Sequence, residues 1–133
     1  MWKYYALLSA FCASLTALFS KLGVRDINSD LATAIRVSFI LVLVWGIALA
    51  SGAVRGIRDI APRTLIFLLI SAAATGLSWL FYFKALQVGD VSRVAPVDKL
   101  SVPLTILLLG EPASVKTLLG GALITAGSLV LLL

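Results

Sequence analysis

Hydrophobic and polar positions are grouped in long blocks along this chain rather than alternating residue by residue. Five apolar runs are separated by short segments that hold the Gly, Pro, Asn, Asp and most of the Arg residues. The runs cover residues 4–22, 31–50, 64–86, 94–109 and 115–133. Because a bilayer core of about 30 Å is crossed by ~20 helical residues, the pattern predicts a bundle of about five transmembrane helices. Strands of a membrane β-barrel are not favoured, because apolar and polar residues would alternate along them.

The composition supports lipid as the solvent. Hydrophobic residues make up 61% of the chain and charged residues 13%, whereas a soluble domain carries about a quarter charged residues. A signal peptide is a poor explanation of the first run, because four further runs follow it. We therefore expect an all-α, polytopic membrane protein with one domain over residues 1–133.

The net charge of +5 does not favour nucleic acid as a partner, because the basic residues are spread over several loops. If successive spans cross the membrane in opposite directions, five of the basic residues lie on the amino-terminal side, namely Lys3, Arg55, Arg58, Arg63 and Lys116. The opposite side holds Lys21, Arg25 and Arg93, and also Arg36 and Lys84 if residues near the ends of spans are counted. The positive-inside rule then orients the chain only weakly. Either the amino terminus faces the cytoplasm by a small margin, or copies insert both ways.

Catalytic chemistry finds little support. The chain has no histidine, and its single cysteine, Cys12, excludes an internal disulfide. No convincing nucleophile and base pair or metal constellation is present. We expect neither an enzyme nor a bound cofactor.

Four ionisable residues are predicted to share one layer of the bilayer, because they lie at similar depths from the same side: Arg36, Lys84, Asp98 and Lys99. Such groups cost a few kcal/mol each in an apolar helix, so they are usually paired or face water. One interpretation is that Arg36 and Lys84 reach the interface while Asp98 neutralises one of them. The other is a polar path for a solute. Since neighbours on a regular helix point ~100° apart, Asp98 is predicted to pair with Arg36 rather than with Lys99.

Two prolines in the fourth run predict an interrupted helix. Pro96 and Pro103 lack an N–H, which frees the carbonyls of Ser92 and Lys99. Broken helices of this kind often form transporter binding sites, and Ser101 could supply a further hydrogen bond. A simple kink without a ligand is the alternative. In the third run, Trp79 with Tyr82 and Phe83 predicts either one wall of a pocket or plain core packing.

The stretches ATGLSWLFYFKALQVGDVSRVAPVDKLS (74–101) and LLLGEPASVKTLLGGALITAGSLVLLL (107–133) resemble the EamA-type repeat of the drug/metabolite transporter superfamily. LATAIRVSFILVLVWG (31–46) is similar to the second span of its small five-span bacterial and archaeal members. In larger relatives, two such repeats of opposite orientation form one carrier with a central cavity. For a single repeat the resemblance therefore implies a homodimer, with an antiparallel pair as one form, or a heteromer with a related subunit.

The fourth run departs from this family pattern. Between DKLS and LGE it is about one helical turn shorter than expected, and residues 94–109 reach only about 24 Å as a helix. That span must distort, thin the bilayer or be partly re-entrant, so an impaired carrier is an alternative. Small multidrug exporters, a neighbouring family, use a carboxylate in the first helix. None is present here, and Asp98 is the only acid within a span.

The expected function is that of a carrier subunit which moves a small metabolite or drug-like solute across the cytoplasmic membrane of a prokaryote. With no P-loop, an ion or solute gradient would drive it. Asp98 and Arg36 are assigned to gating or coupling, Lys99 and Lys84 to attraction of an anionic solute, and Trp79 with Tyr82 to a pocket wall. Glu111, in the LGE turn, is expected to fix that turn or favour the start of the last helix. A non-transporting membrane partner is the alternative function.

Overall fold

A computed structural model describes residues 1–110 and 114–133, and within them the chain is entirely helical apart from its connections. The helices are α1 (Trp2–Gly23), α2 (Ser29–Ala50), a 3₁₀ helix (Ala53–Asp59), α3 (Pro62–Val88), α4 (Val91–Asp98), α5 (Ser101–Leu109) and α6 (Val115–Leu132). The all-α fold expected from the sequence is confirmed. The predicted turn at Glu111 lies outside the described residues.

Four of these helices, α1, α2, α3 and α6, are long and apolar enough to cross a membrane. They correspond to four of the five predicted runs, and α3 extends beyond its run at both ends. The remaining run, 94–109, differs from the expectation of one span because it forms two short helices, α4 and α5, of 8 and 9 residues. At ~1.5 Å per residue, neither of them reaches across a bilayer core.

Side chains and glycines set several helix ends. The Asn28 side chain accepts hydrogen bonds from the backbone N–H of Asp30 and Leu31 at 2.8 and 3.2 Å, which starts α2. The Ser114 hydroxyl accepts from the N–H of Thr117 at 3.2 Å and starts α6 in the same way. At the end of α5, Gly110 has a φ of 60°, a left-handed conformation that glycine adopts without a steric cost.

The chain divides into two compact units. The first contains Met1–Leu22 and Ala85–Leu133, and the second contains Gly23–Lys84. In the first unit, α4 and α5 both pack on α6. In the second unit, α2 contacts the 3₁₀ helix that follows it, and an ion pair joins its first turn to α3.

Most apolar side chains are exposed on the single chain, including long stretches of α2 and α3. Among the described residues, the buried side chains include small and polar ones such as Ser20, Thr33 and Ser128. Helices that face lipid keep their large apolar side chains outside and use small or hydroxyl residues where they meet one another. The observed distribution of side chains is therefore typical of a membrane protein.

Candidate functional site

Arg36 lies against two aromatic rings. Its guanidinium carbon is 4.5 Å from the centroid of the Trp79 ring and 5.4 Å from that of the Phe83 ring. Trp79 and Phe83 are four positions apart on α3, so they share one face of that helix. Cation–π contacts within about 6 Å are worth ~0.5–2 kcal/mol, and the larger values apply where water is excluded. We call Arg36, Trp79 and Phe83 the Arg36 cluster.

The Arg36 cluster holds a permanent charge within an apolar helix. Arg36 lies about 10 Å along α2 from its first residue and is half-buried. The two rings stabilise its charge through their faces, which does not use up the N–H donors of the guanidinium. Such a group can still bind a carboxylate or another anionic group through those donors. Tyr82, predicted as part of the same wall, lies beside Phe83 in α3 and is also half-buried.

Lys84 forms an ion pair with a residue that the sequence analysis overlooked. Its Nζ lies 3.4 Å from the Asp30 Oδ1, and both side chains are about half exposed. Asp30 stands in the first turn of α2, close in depth to the end of α3, and counting helical positions could have found it. An exposed ion pair of this kind contributes ~0–1 kcal/mol to the free energy of unfolding. Asp30 offsets the positive charge that Lys84 was expected to offer to a solute.

Asp98 pairs with its neighbour Lys99, contrary to the expectation for a regular helix. The Lys99 Nζ lies 3.4 Å from the Asp98 Oδ2. Lys99 follows the last residue of α4 and keeps a right-handed helical backbone, so the two side chains still leave the backbone ~100° apart. The contact forms because the exposed, flexible lysine side chain reaches round to its neighbour. The proposed pairing of Asp98 with Arg36 joins residues of different units and stays a prediction. So does the placing of all four ionisable residues in one layer.

Two backbone carbonyls at the break between α4 and α5 have hydrogen-bond partners. The Lys99 carbonyl, expected to lose its partner to Pro103, accepts from the Val102 N–H at 3.0 Å. The Pro96 carbonyl accepts from the Lys99 N–H at 3.0 Å and from the Ser128 Oγ of α6 at 2.9 Å. Ser128 is only 2% exposed. Its role was not predicted, because one more serine in an apolar helix gives no signal before its neighbour is known.

Ser101, the remaining predicted polar residue, is the first residue of α5 and is exposed. Its carbonyl accepts a hydrogen bond from the Thr105 hydroxyl at 2.8 Å. Pro103 packs on α6, where its Cβ lies 3.9 Å from the position a Cβ would take on Gly121. The break is therefore held against α6 by a serine on one side and a glycine on the other.

Lys21, counted above only as a basic residue on one side of the membrane, has a structural role. Its Nζ donates to the carbonyls of Leu86 and Gly89, at 2.6 and 2.8 Å. These carbonyls lie at the end of α3, where the helix dipole is negative and the last carbonyls lack helical partners. Lys21 therefore caps the last turn of α3 and is not one of the freely solvated loop charges.

Metal chemistry has no candidate ligand set in the described part of the chain. No group of three or more His, Cys, Asp or Glu side chains in residues 1–110 and 114–133 could hold a metal ion. What the described residues offer is an arginine on aromatic rings in one unit and a broken helix with an ion pair in the other.

Comparison with known proteins places this architecture in a family. The model of the EamA-like transporter family matches residues 1–133. The chain belongs to the EamA-like transporter family. A curated protein of a Sinorhizobium species, named as an uncharacterized transporter in the cobO 3'region, is 48% identical over 134 residues, which cover 98% of this chain and 95% of that protein. No solved structure matches the chain.

Membership of the EamA-like transporter family confirms the resemblance drawn from residues 74–101 and 107–133. Together with the four long apolar helices, it identifies a multi-pass membrane protein. The family and the transporter-named relative support a membrane transporter rather than an enzyme.

Proposed function

We propose that this member of the EamA-like transporter family is a carrier subunit that moves a small metabolite or drug-like solute with an anionic group. The membrane is the cytoplasmic membrane of a prokaryote, and an ion or solute gradient supplies the driving force. The observation that carries the proposal is the Arg36 cluster. It keeps a charged guanidinium in an apolar span, 4.5 Å from the Trp79 ring centroid, with N–H donors suited to a carboxylate.

An arginine in a membrane helix is costly, so it normally faces protein or a water-filled cavity and marks a solute or ion path. Each of the two ion pairs in the described residues joins a lysine to an aspartate, and neither includes Arg36. Lys84 and Lys99 are each offset by a carboxylate at 3.4 Å. Arg36 is therefore the cation of the predicted set best suited to bind a solute anion, while Trp79 and Tyr82 form the wall beside it.

The break between α4 and α5 is assigned to the conformational step. Pro96 and Asp98 stand in the last turn of α4, and Lys99 begins the turn that leads to α5. A turn of this kind can absorb a change of backbone angles more readily than a continuous helix. The carboxylate of Asp98 is the coupling group in this scheme. It exchanges its partner Lys99 for Arg36 or for a co-transported cation during the cycle.

Larger relatives contain two repeats of this kind in opposite orientation, so we propose that the active form of this single repeat is a homodimer or a heteromer with a related subunit. An antiparallel homodimer is one form that the weak charge bias of the loops allows. In that form the two copies can exchange conformations about an axis in the membrane plane.

The test is transport by the purified chain in proteoliposomes, with a panel of small carboxylates, amines and neutral solutes followed by solid-supported membrane currents and radiolabel uptake. We expect saturable uptake of at least one carboxylate. Arg36→Gln should raise its half-saturation concentration by about tenfold to a hundredfold, because a hydrogen bond to a charged group is worth ~1.5–3 kcal/mol. Arg25→Gln, which removes an exposed loop arginine, is the matched control.

Asp98→Asn tests the coupling role separately. Gradient-driven accumulation should fall to the level of equilibration, while Asp26→Asn, a loop variant, should accumulate solute like the unchanged chain. If correctly folded protein moves no member of the panel faster than empty vesicles, the carrier proposal fails and the non-transporting membrane partner is favoured. If only amines or neutral solutes are moved, the assignment of an anionic solute to Arg36 is wrong.

A further inference from the structure

The loop between α2 and α3 carries two arginines on one face. It is built on the 3₁₀ helix, in which residues three apart lie directly above one another. Arg55 and Arg58 therefore share one face, and both are exposed. Val54 and Ile57 share a second, apolar face, on which Ile57 is 50% exposed. The third face holds Ala53, Gly56 and Asp59.

This 3₁₀ helix lies in the connection between two long apolar helices. It connects α2 and α3, two of the helices that are long and apolar enough to cross the bilayer. Gly52, with a φ of 73°, interrupts the right-handed helical backbone between α2 and the 3₁₀ helix, and the 3₁₀ helix contacts α2. The extended residue Ile60 then leads into α3. An amphipathic segment held between two spans in this way lies at the level of the lipid headgroups.

A third arginine adds to the same charge. Arg63 stands in the first turn of α3, where there is no acidic residue and where the positive end of the helix dipole disfavours a cation. Its guanidinium carbon lies 5.7 Å from the centroid of the Phe67 ring. Residues 53–63 contain three arginines and one aspartate, Asp59. In the described part of the chain, neither ion pair involves any of these four charges.

We propose that this 3₁₀ helix binds the headgroups of anionic phospholipids. The phosphates contact Arg55, Arg58 and Arg63, and Ile57 enters the boundary between headgroups and acyl chains. A basic face next to an apolar face in the plane of the membrane is the arrangement that binds anionic lipid. Each arginine near such a surface strengthens binding by about fivefold at moderate salt. This role is independent of whether the chain transports a solute.

The experiment measures binding of a fluorescent phosphatidylglycerol and of the matching phosphatidylcholine to the full chain in mild detergent, by anisotropy. The unchanged chain should prefer phosphatidylglycerol. Arg55→Gln with Arg58→Gln should weaken its binding by roughly 25-fold, about fivefold for each arginine, and leave phosphatidylcholine unaffected. Ile57→Ser should weaken binding of both lipids. The matched control, Arg25→Gln with Arg93→Gln, removes the same charge from two other exposed positions, one in the loop after α1 and one in α4.

Several results would overturn the proposal. These are equal binding of both lipids by the unchanged chain, an undiminished preference in the double Gln variant, or an equal loss in the control pair. Displacement of the lipid by millimolar sn-glycerol 3-phosphate would instead identify a site for soluble phosphates. If the Gln variant does not fold, Arg55→Lys with Arg58→Lys must keep the preference. That preference must also fall between 0.15 and 1 M salt, as the screening length shortens from about 8 to 3 Å.

Discussion

The contact between Arg36 and Trp79 should appear as a measurable coupling energy. The perturbation is a double-mutant cycle of Arg36→Met and Trp79→Leu, which removes the charge and the ring separately and then together. The guanidinium carbon lies 4.5 Å from the ring centroid, well within the ~6 Å limit for such contacts. Because Arg36 is half-buried, we expect a coupling of about 1 kcal/mol, between the values for exposed and for fully desolvated contacts.

The second ring allows an internal comparison. Phe83 lies at 5.4 Å, closer to the limit, and phenylalanine attracts a cation less strongly than tryptophan. Its coupling with Arg36 should therefore be about 0.5 kcal/mol or less. Phe83→Leu alone will also cost packing energy, since the ring is only 3% exposed, and the cycle removes that contribution.

The assay is the free energy of unfolding in bicelles, measured by steric trapping for each corner of the cycle. Trp45→Leu is the control, because Trp45 lies on α2 about 14 Å along the axis from Arg36 and its effect should add to that of Arg36→Met. Independent sites are additive within about 0.3–0.5 kcal/mol. A coupling of Arg36 with Trp79 below ~0.3 kcal/mol, or one no larger than that with Trp45, would refute the account of the Arg36 cluster.

Three further predictions concern stability. Ser128→Ala should lower the free energy of unfolding by about 0.5–1.5 kcal/mol, because it removes a buried hydrogen bond between helices. The Ser38 hydroxyl bonds within its own helix, so Ser38→Ala should change the free energy of unfolding by less than half as much. Gly89→Ala should lower the free energy of unfolding by ~1–3 kcal/mol, since its Cβ would lie 3.0 and 3.1 Å from two heavy atoms. Gly46 has open space around it, so Gly46→Ala should raise the free energy of unfolding by up to ~1 kcal/mol. A Gly89→Ala variant more stable than Gly46→Ala would contradict this prediction. Lys21→Met should expose the end of α3 and raise hydrogen exchange of its last-turn amides at least tenfold, as expected when ~1.5–3 kcal/mol of hydrogen bonding to an ammonium is lost; unchanged exchange would show that the cap is not needed.

The extent to which the site could be predicted differs between its parts. Four charged residues stand out in the sequence because charges in apolar runs are rare and costly. They are Arg36, Lys84, Asp98 and Lys99. The sequence does not identify the residues that these four side chains contact. Lys84 contacts Asp30 because of where α2 meets α3. Asp98 contacts Lys99 because a long, exposed lysine side chain can reach an adjacent carboxylate.

The fourth run shows the same distinction within a single element. Its prolines and short length predicted a distortion, and the structure has two short helices there. That α5 begins at Ser101, and that the Pro96 carbonyl finds a buried hydroxyl on α6 at 2.9 Å, could not be predicted. Proline removes a backbone donor wherever it stands, but the atom that replaces that donor belongs to another helix.

By itself, the sequence determined the solvent, the fold class, the bounds of four long helices to within a few residues and the family, because these follow from apolar run length, turn residues and local motifs. Only the tertiary structure decided that Arg36 rests on Trp79 and Phe83, that Lys21 caps α3 and that Ser128 supports the break. Each of these contacts joins residues on different helices. Hydropathy fixes how long a helix is, whereas the rotation of one helix against another fixes which side chains meet.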